Sequence, residues 1–384
     1  MLSFWEFDHY AQTDILIVGA GIIGLSTAIS IKEHSPNTSV TVVERGIFPS
    51  GASTRNAGFA CFGSLTEILF DMNKNGEETT VQLVEQRWRG LQILRARLGD
   101  AAIGFECFGG YETLFEEQLP ALESLERVNT ALQDIFPSPT FRQENEKIAA
   151  FGFNTERVKA LVHSPFEGQI HSGMMMHALK RYAEERGVHV LYGANVLSIE
   201  EKNESVQVSV LHLDDTITFR AQQCALCTNA FIPKLLPSFV SSENVIKPAR
   251  GQVLVTSLIP NLPFRGVFHL DEGFYYFRNL STPAGQRILL GGGRNLAFEE
   301  EETTALELNP HIHKELDNLL RSTIAPHLAY TVEHRWSGIM GFRSDKLPEV
   351  RRASARCVIG FGCNGMGVAL GSIIGEETAS LLMM

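Results

Sequence analysis

The clearest pattern lies near the start of the chain. Asp14-Ile-Leu-Ile-Val18 is a short apolar run without helical period and reads as a buried strand. Residues 22–34 predict a helix and 39–43 a second strand. Residues 46–63 are rich in Gly, Ser, Thr and Asn, lack a period, and read as a loop. Helical patterns follow at about 80–98 and 117–136, with a hairpin expected over 105–115 between them. Another helix is expected at 174–186, then strands near His189, Val196, Val206, Ile217 and Ala225, and a strand-rich stretch over 251–290. Asn309 is placed to cap, and Pro310 to open, a helix reaching residue 322. Strands near Val332 and Val358 precede a final helix that begins near Gly367. No repeat of 20–50 residues is visible. The acidic run Glu299-Glu-Glu-Glu302 reads as a solvated surface turn.

Composition narrows the function classes. At 384 residues the chain has room for two or three domains. Its net charge of −11, with no Lys/Arg-rich run, argues against nucleic acid and anionic membrane surfaces as partners. The segment Met1-Leu-Ser-Phe-Trp-Glu-Phe-Asp8 has no basic region or small-residue cleavage site, so no signal peptide is read there. The longest apolar stretch, 15–31, contains glycines and serines and changes period partway. It is expected to be strand, turn and helix rather than a span, which needs ~20 apolar residues. The six cysteines, at 61, 107, 224, 227, 357 and 363, form no disulfide framework. Cys224-Ala-Leu-Cys227 lies in an apolar run and reads as core. His311 and His313 sit two apart in a predicted helix and face different ways, so no metal site is expected. Reduced thiols and no export signal favour the cytoplasm.

Chemistry enters with Gly19-Ala20-Gly21-Ile22-Ile23-Gly24. It directly follows a strand and opens a helix, the context that lifts GxGxxG above chance. Gly19 makes the tight turn, Gly21 admits a pyrophosphate, and Gly24 lets helix and strand pack closely. The helix start then offers free N–H groups and a positive dipole end to phosphate. Glu44, ending the second strand, is placed to accept from the adenosine ribose hydroxyls. This unit alone leaves NAD and FAD both open.

The next loop reads Arg45-Gly-Ile-Phe-Pro-Ser-Gly-Ala-Ser53-Thr54-Arg55-Asn56-Ala57-Gly58. Here the chain resembles the D-amino-acid oxidase-like superfamily of FAD-dependent oxidoreductases, which includes glycine oxidase, sarcosine oxidase and bacterial D-amino-acid dehydrogenase. The likeness covers nearly the whole chain. Asn195-Val196 resembles the family's adenine-side segment, and Thr228-Asn229-Ala230 its Thr-x-Ala turn. Lys247-Pro-Ala-Arg-Gly-Gln252 resembles the entry into the substrate domain. Tyr275 to Arg278 and Arg287 to Gly293 look like a strand pair of that domain, and Trp336-Ser-Gly338 with Asp345 and Pro348 matches a Trp-x-Gly element. Gly360-Phe-Gly362-Cys-Asn364-Gly365-Met366-Gly367-Val368 is similar to the C-terminal Gly-rich loop and helix. The resemblance implies that such a helix start faces the flavin's pyrimidine edge, where backbone N–H groups stabilise the charge of the reduced ring.

It implies an α/β chain, α+β overall, with a Rossmann-type FAD-binding domain from residues 1–75, 155–240 and 350–384. A discontinuous substrate domain of mixed β-sheet and helices takes 76–154 and 241–349. The implied reaction is oxidation of the C–N bond of an amine or amino acid by hydride transfer to flavin N5, giving an imine that water hydrolyses. Oxygen, a quinone or another acceptor then takes the electrons. Two familiar carboxylate clamps of the family are missing, since Met340 and Gly367 stand at their positions. Arg343 or Arg278 is the expected substitute, and one of Tyr275 and Tyr276, which alternate faces on a strand, points at the substrate; Tyr276 is the candidate. No cysteine lies between residues 332 and 356, where covalent-flavin relatives carry one, so non-covalent FAD is implied. A 2-hydroxy-acid dehydrogenase and a non-catalytic FAD-containing assembly protein are the alternatives.

Overall fold

The structure, a computed structural model, describes residues 2–237 and 246–384. Two eight-stranded sheets carry it. In the first, Gln12–Val18 lies between Val40–Glu44 and Asp215–Leu226, with Val188–Tyr192 beyond the former and Cys357–Phe361 beyond the latter. These five strands are all parallel, and their near-continuous apolar runs follow from burial on both faces. Glu349–Arg352 closes one edge antiparallel, and the antiparallel strands Val206–His212 and Asn195–Glu201 extend the sheet from Asp215–Leu226.

The helix Ile22–His34 buries ten of its thirteen residues, apolar around nearly its whole girth. The helix Gly367–Met383 lies across it, and Glu77–Leu98 covers that in turn. The helices approach closely because small residues meet there. A Cβ on Gly371 would stand 2.2 Å from Ile22 Cγ2. A Cβ on Gly24 would stand 1.9 Å from the Gly19 carbonyl, so no side chain fits where this helix leaves its strand.

The second sheet runs Val332–Phe342, Lys247–Thr256, Gly285–Gly292, Tyr275–Thr282, Val267–Leu270, Gly110–Leu114, Ala160–Ser164, Arg142–Gln143. Only the Val267–Leu270 and Gly110–Leu114 pair is parallel. One face packs an aromatic core in which Phe268 and Phe277 stack at 4.4 Å, with Phe153 and Phe264 against them. Strand alternation turns the neighbours His269 and Tyr276 to the other face, toward the first sheet.

Several expectations need correction. Residues 105–115 form no hairpin: Gly110–Leu114 is a single strand between distant partners. Residues 116–124 are a 3₁₀ helix containing Pro120, and only Leu125–Ala131 is α-helical. Ile217 and Ala225 share one strand. Ala160–Ser164 belongs to the second sheet, so a boundary at 155 falls too early, because the pairing with Gly110–Leu114 claims that strand. Glu77–Leu98, allotted to the substrate domain, packs against Gly367–Met383. The boundary between 240 and 241 lies outside the described residues. Within the acidic run, Glu301 is fully buried and pairs with Arg250 at 2.8 Å, so that turn is not simply solvated. No helix among the described residues is long and apolar enough to cross a membrane.

Candidate cofactor and substrate site

One cavity of about 610 Å³ runs between the two sheets. At one end it meets the glycine turn, where Gly19, Gly21, Ile22 and Ile23 line it. The first-turn N–H groups of the helix they open have no carbonyl one turn behind them. Ser53 Oγ accepts from Ile22 N at 3.0 Å, and Gly21, Ile22 and Ile23 line the cavity. Glu44 is not a loose surface acid: its carboxylate accepts from Ala20 N at 3.1 Å and from Gly46 N at 3.0 Å, which fixes it beside the turn.

The loop after Glu44 contains a short helix, Ala52–Arg55, and is tied down from several sides. Arg55 donates to the Ser337 carbonyl, Trp336 Nε1 donates to the Arg55 carbonyl, and Asn56 Oδ1 accepts from Gly58 N and Ser172 Oγ. The start of Gly367–Met383 opens onto the same cavity, with Asn364, Gly365, Met366, Gly367 and Val368 in the wall. Two helix starts thus aim their positive ends into one space.

Most of the expected cofactor residues line it: Gly19, Gly21, Ile22, Ile23, Glu44, Arg45, Ser53, Arg55–Gly58, Val196, Thr228, Asn229, Ala230, Gly338 and Asn364–Val368. Ala20, Gly24, Thr54 and Gly362 stand behind the lining rather than in it. Thr228 Oγ1 and Asn229 Oδ1 are buried against the cavity without a hydrogen-bond partner, a cost that an incoming polar ligand relieves. Orphaned polar atoms, two helix starts and a fixed acid together fit a dinucleotide such as FAD.

At the other end the second sheet supplies the wall. Tyr276 faces in, its ring laid over Gly291, while Tyr275 joins the core behind. Met340 lies on the same sheet two strands from Gly291, its side chain over Gly251. Arg278 is not in the lining: it is 4% exposed and donates to the Ala57 carbonyl at 2.6 Å and the Ile170 carbonyl at 3.1 Å. Burial pulls its pKa down to about 10, and its role is to brace the loop at Gly58. Arg343 lines the cavity, but Asp345 takes its Nε and Nη2, and Glu349 takes Nη1. Its charge is already answered by two carboxylates.

Sequence reading missed His269. It is 5% exposed, faces the cavity, and its Nε2 lies 3.0 Å from Glu167 Oε2, with Glu67 at 3.7 Å from Nδ1. Burial opposes its charge, but Glu167, Glu67 and Glu112 outweigh that and push its pKa up to about 9. Cys61 Sγ lies within 4.8 Å of this pair's nitrogen and oxygen. Burial, then Glu167, raise that thiol well above its usual range. A protonated imidazole has no lone pair for a metal, and a neutral thiol is a far weaker ligand than a thiolate. Cys227 and Cys363, also in the cavity wall, are both pushed up to about 12 by burial.

Comparison with known proteins gives this cavity a context. The family model described as FAD dependent oxidoreductase matches residues 14–381. The chain is 22% identical to a probable oxidoreductase, OrdL, of Haemophilus influenzae, covering 99% of this chain and 85% of that one. It is 23% identical to gamma-glutamylputrescine oxidoreductase of Escherichia coli, covering 96% and 83%. The solved L-proline dehydrogenase of P. horikoshii shares the fold at a TM-score of 0.76, with 18% identity over 97% of this chain and 93% of that one.

Proposed function

Since the chain belongs to the DAO family of FAD dependent oxidoreductases, we propose that it oxidises the C–N bond of an amine or amino acid to an imine, which water then hydrolyses. The carrying observation is the single cavity that joins two helix starts to a wall built by Tyr276 and Met340. FAD, when bound, supplies the acceptor for the electron pair leaving the substrate C–H. The chain's own part is to bind, orient and keep water out. The Gly19 turn and Glu44 hold the nucleotide half, and the start of Gly367–Met383 sets a positive field at the redox end. His269, the only histidine of the described cavity lining, is kept protonated by its carboxylates at neutral pH, so it is no base there. An amine that arrives neutral needs none. The likeness to an oxidoreductase named for gamma-glutamylputrescine and to a proline dehydrogenase supports amines and amino acids as the substrate class.

Non-covalent attachment belongs to the same proposal. The thiols of Cys61, Cys227 and Cys363 are held protonated, and a thiol is a poor nucleophile. The protein should purify yellow and release its flavin on acid or heat denaturation; flavin that stays with the denatured chain overturns this. Anaerobic bleaching of the bound flavin, screened over amines, amino acids and 2-hydroxy acids, tests the reaction. Bleaching by an amine or amino acid is expected. Bleaching by hydroxy acids alone makes the chain a 2-hydroxy-acid dehydrogenase, and a flavin that nothing bleaches points to a non-catalytic role.

A further inference from the structure

The cations around the cavity are mostly spent. Arg55, Lys74 and Arg87 donate to backbone carbonyls, Lys346 pairs with Asp71, and Arg343 with Asp345 and Glu349. Two lining arginines make neither hydrogen bond nor ion pair among the described residues, one at each end. Arg45 lies beside Glu44 at the nucleotide end, stacked on Phe231 at 4.1 Å. Arg294 lies at the far end, just past the strand Gly285–Gly292, where Met340 and Tyr276 form the wall.

Arg294 touches rings instead of acids. Its guanidinium carbon sits 4.4 Å from the Phe342 ring centre and 5.0 Å from that of Phe298. The nearest acids are already used. Glu301 is taken by Arg250, Gln252 and Asn309, and Glu302 by Lys247. Burial therefore lowers the Arg294 pKa, with Glu301 and Glu302 opposing only in part. The Phe342 ring in turn lies 3.7 Å from where a Cβ on Gly365 would stand, at the loop that opens the closing helix. So an uncompensated, half-buried guanidinium stands one ring away from the redox end of the cavity.

We propose that Arg294 anchors the carboxylate of the substrate, so that the site selects amines bearing an acidic group. This rests on the amine-oxidising reading above and adds the substrate class to it. A guanidinium stacked on a ring keeps its N–H edge free, and that edge matches a carboxylate with two parallel hydrogen bonds. An anion arriving there also compensates a charge that water no longer solvates fully. Met340, on the same sheet face as Tyr276, offers a carboxylate no cation, and Arg294 is the lining cation at this end without an acidic partner among the described residues.

The test uses FAD-loaded protein and binding rather than turnover. Anthranilate carries an amine and a carboxylate but no hydrogen on the carbon bearing nitrogen, so it cannot be oxidised; aniline is the same probe without the acid. Titration followed by the flavin spectrum and by calorimetry should show wild type preferring anthranilate. Arg294→Met should weaken anthranilate at least about tenfold, the scale of losing one charge-assisted contact, while aniline affinity and FAD content hold. Arg294→Lys should recover part of the loss, and Arg294→Gln provides a second neutral variant should Met disturb the fold. Unchanged anthranilate affinity in Arg294→Met overturns the proposal. So does loss of FAD from that variant, which would make Arg294 a cofactor contact, and so does a wild type indifferent to the acid. A wild type that still bleaches with simple amines in that last case keeps the reaction and removes only the anchor.

Discussion

Glu44 and Arg343 show how much a single residue reveals from sequence. Glu44 was legible because strand, glycine turn and helix fix its position by register alone. Its two backbone donors, Ala20 and Gly46, add a reason why it must be an acid. Glu44→Ala is expected to weaken FAD binding by about 1–3 kcal/mol, the range for lost hydrogen bonds to a charged group, as measured by titrating apoprotein with FAD. An unaltered affinity would return Glu44 to an ordinary strand-end acid. Arg343 was less legible, since its partners depend on how the turn after Phe342 folds back: Asp345 lies two residues on, and Glu349 is the first residue of the next strand. Arg343→Met is therefore expected to cost stability, near the low end of the ~3–5 kcal/mol for breaking a buried pair, because both acids keep some water contact. Denaturant unfolding measures it. A variant of unchanged stability that loses only carboxylate affinity would make Arg343 the anchor after all. Arg294 left no trace in the sequence: it follows three glycines, where neither period nor motif marks a side chain.

Among the elements, those with strong local signals were legible and those made by distant pairing were not. The two glycine-opened helices begin where the motifs place them, at Ile22 and Gly367. Asn309 caps its helix through bonds from His311 N and Ile312 N, with Pro310 first in the helix. By contrast Gly110–Leu114 looked like half of a hairpin, because nothing local tells a strand that its partners are Ala160–Ser164 and Val267–Leu270. The 3₁₀ stretch at 116–124 hid behind an apolar spacing that Pro120 does not allow to stay α-helical. The contact between the two glycine-opened helices carries a prediction. Gly371→Ala puts a methyl where Ile22 Cγ2 already stands. Overpacking of this kind costs roughly 1–3 kcal/mol. Because Ile22 directly follows Gly21, FAD affinity should fall together with the melting temperature. A lower melting temperature with full FAD affinity would show that the turn is insulated from the packing behind it.

Across the whole molecule, the two-sheet architecture was legible from the order of its motifs, whereas the ionic cluster between the sheets was not. His269, Glu167, Glu67 and Glu112 come from four separate segments and meet only on folding. Their pH signature has a definite sign. The folded imidazole titrates at about 9 against 6.5 for the free group, so its stabilisation is complete below pH 6.5 and is lost as pH rises through about 9. The shift corresponds to roughly 3 kcal/mol. Unfolding free energy should fall over that window, and the fall should flatten in His269→Gln; an unchanged slope would assign it elsewhere. The closing helix, finally, has a consequence in time. Ile22–His34 is synthesised early, yet its apolar flank is covered by Gly367–Met383, which emerges far later from the ribosome. Until then the nascent chain carries an open hydrophobic groove, a surface of the kind that chaperones hold and that proteases find.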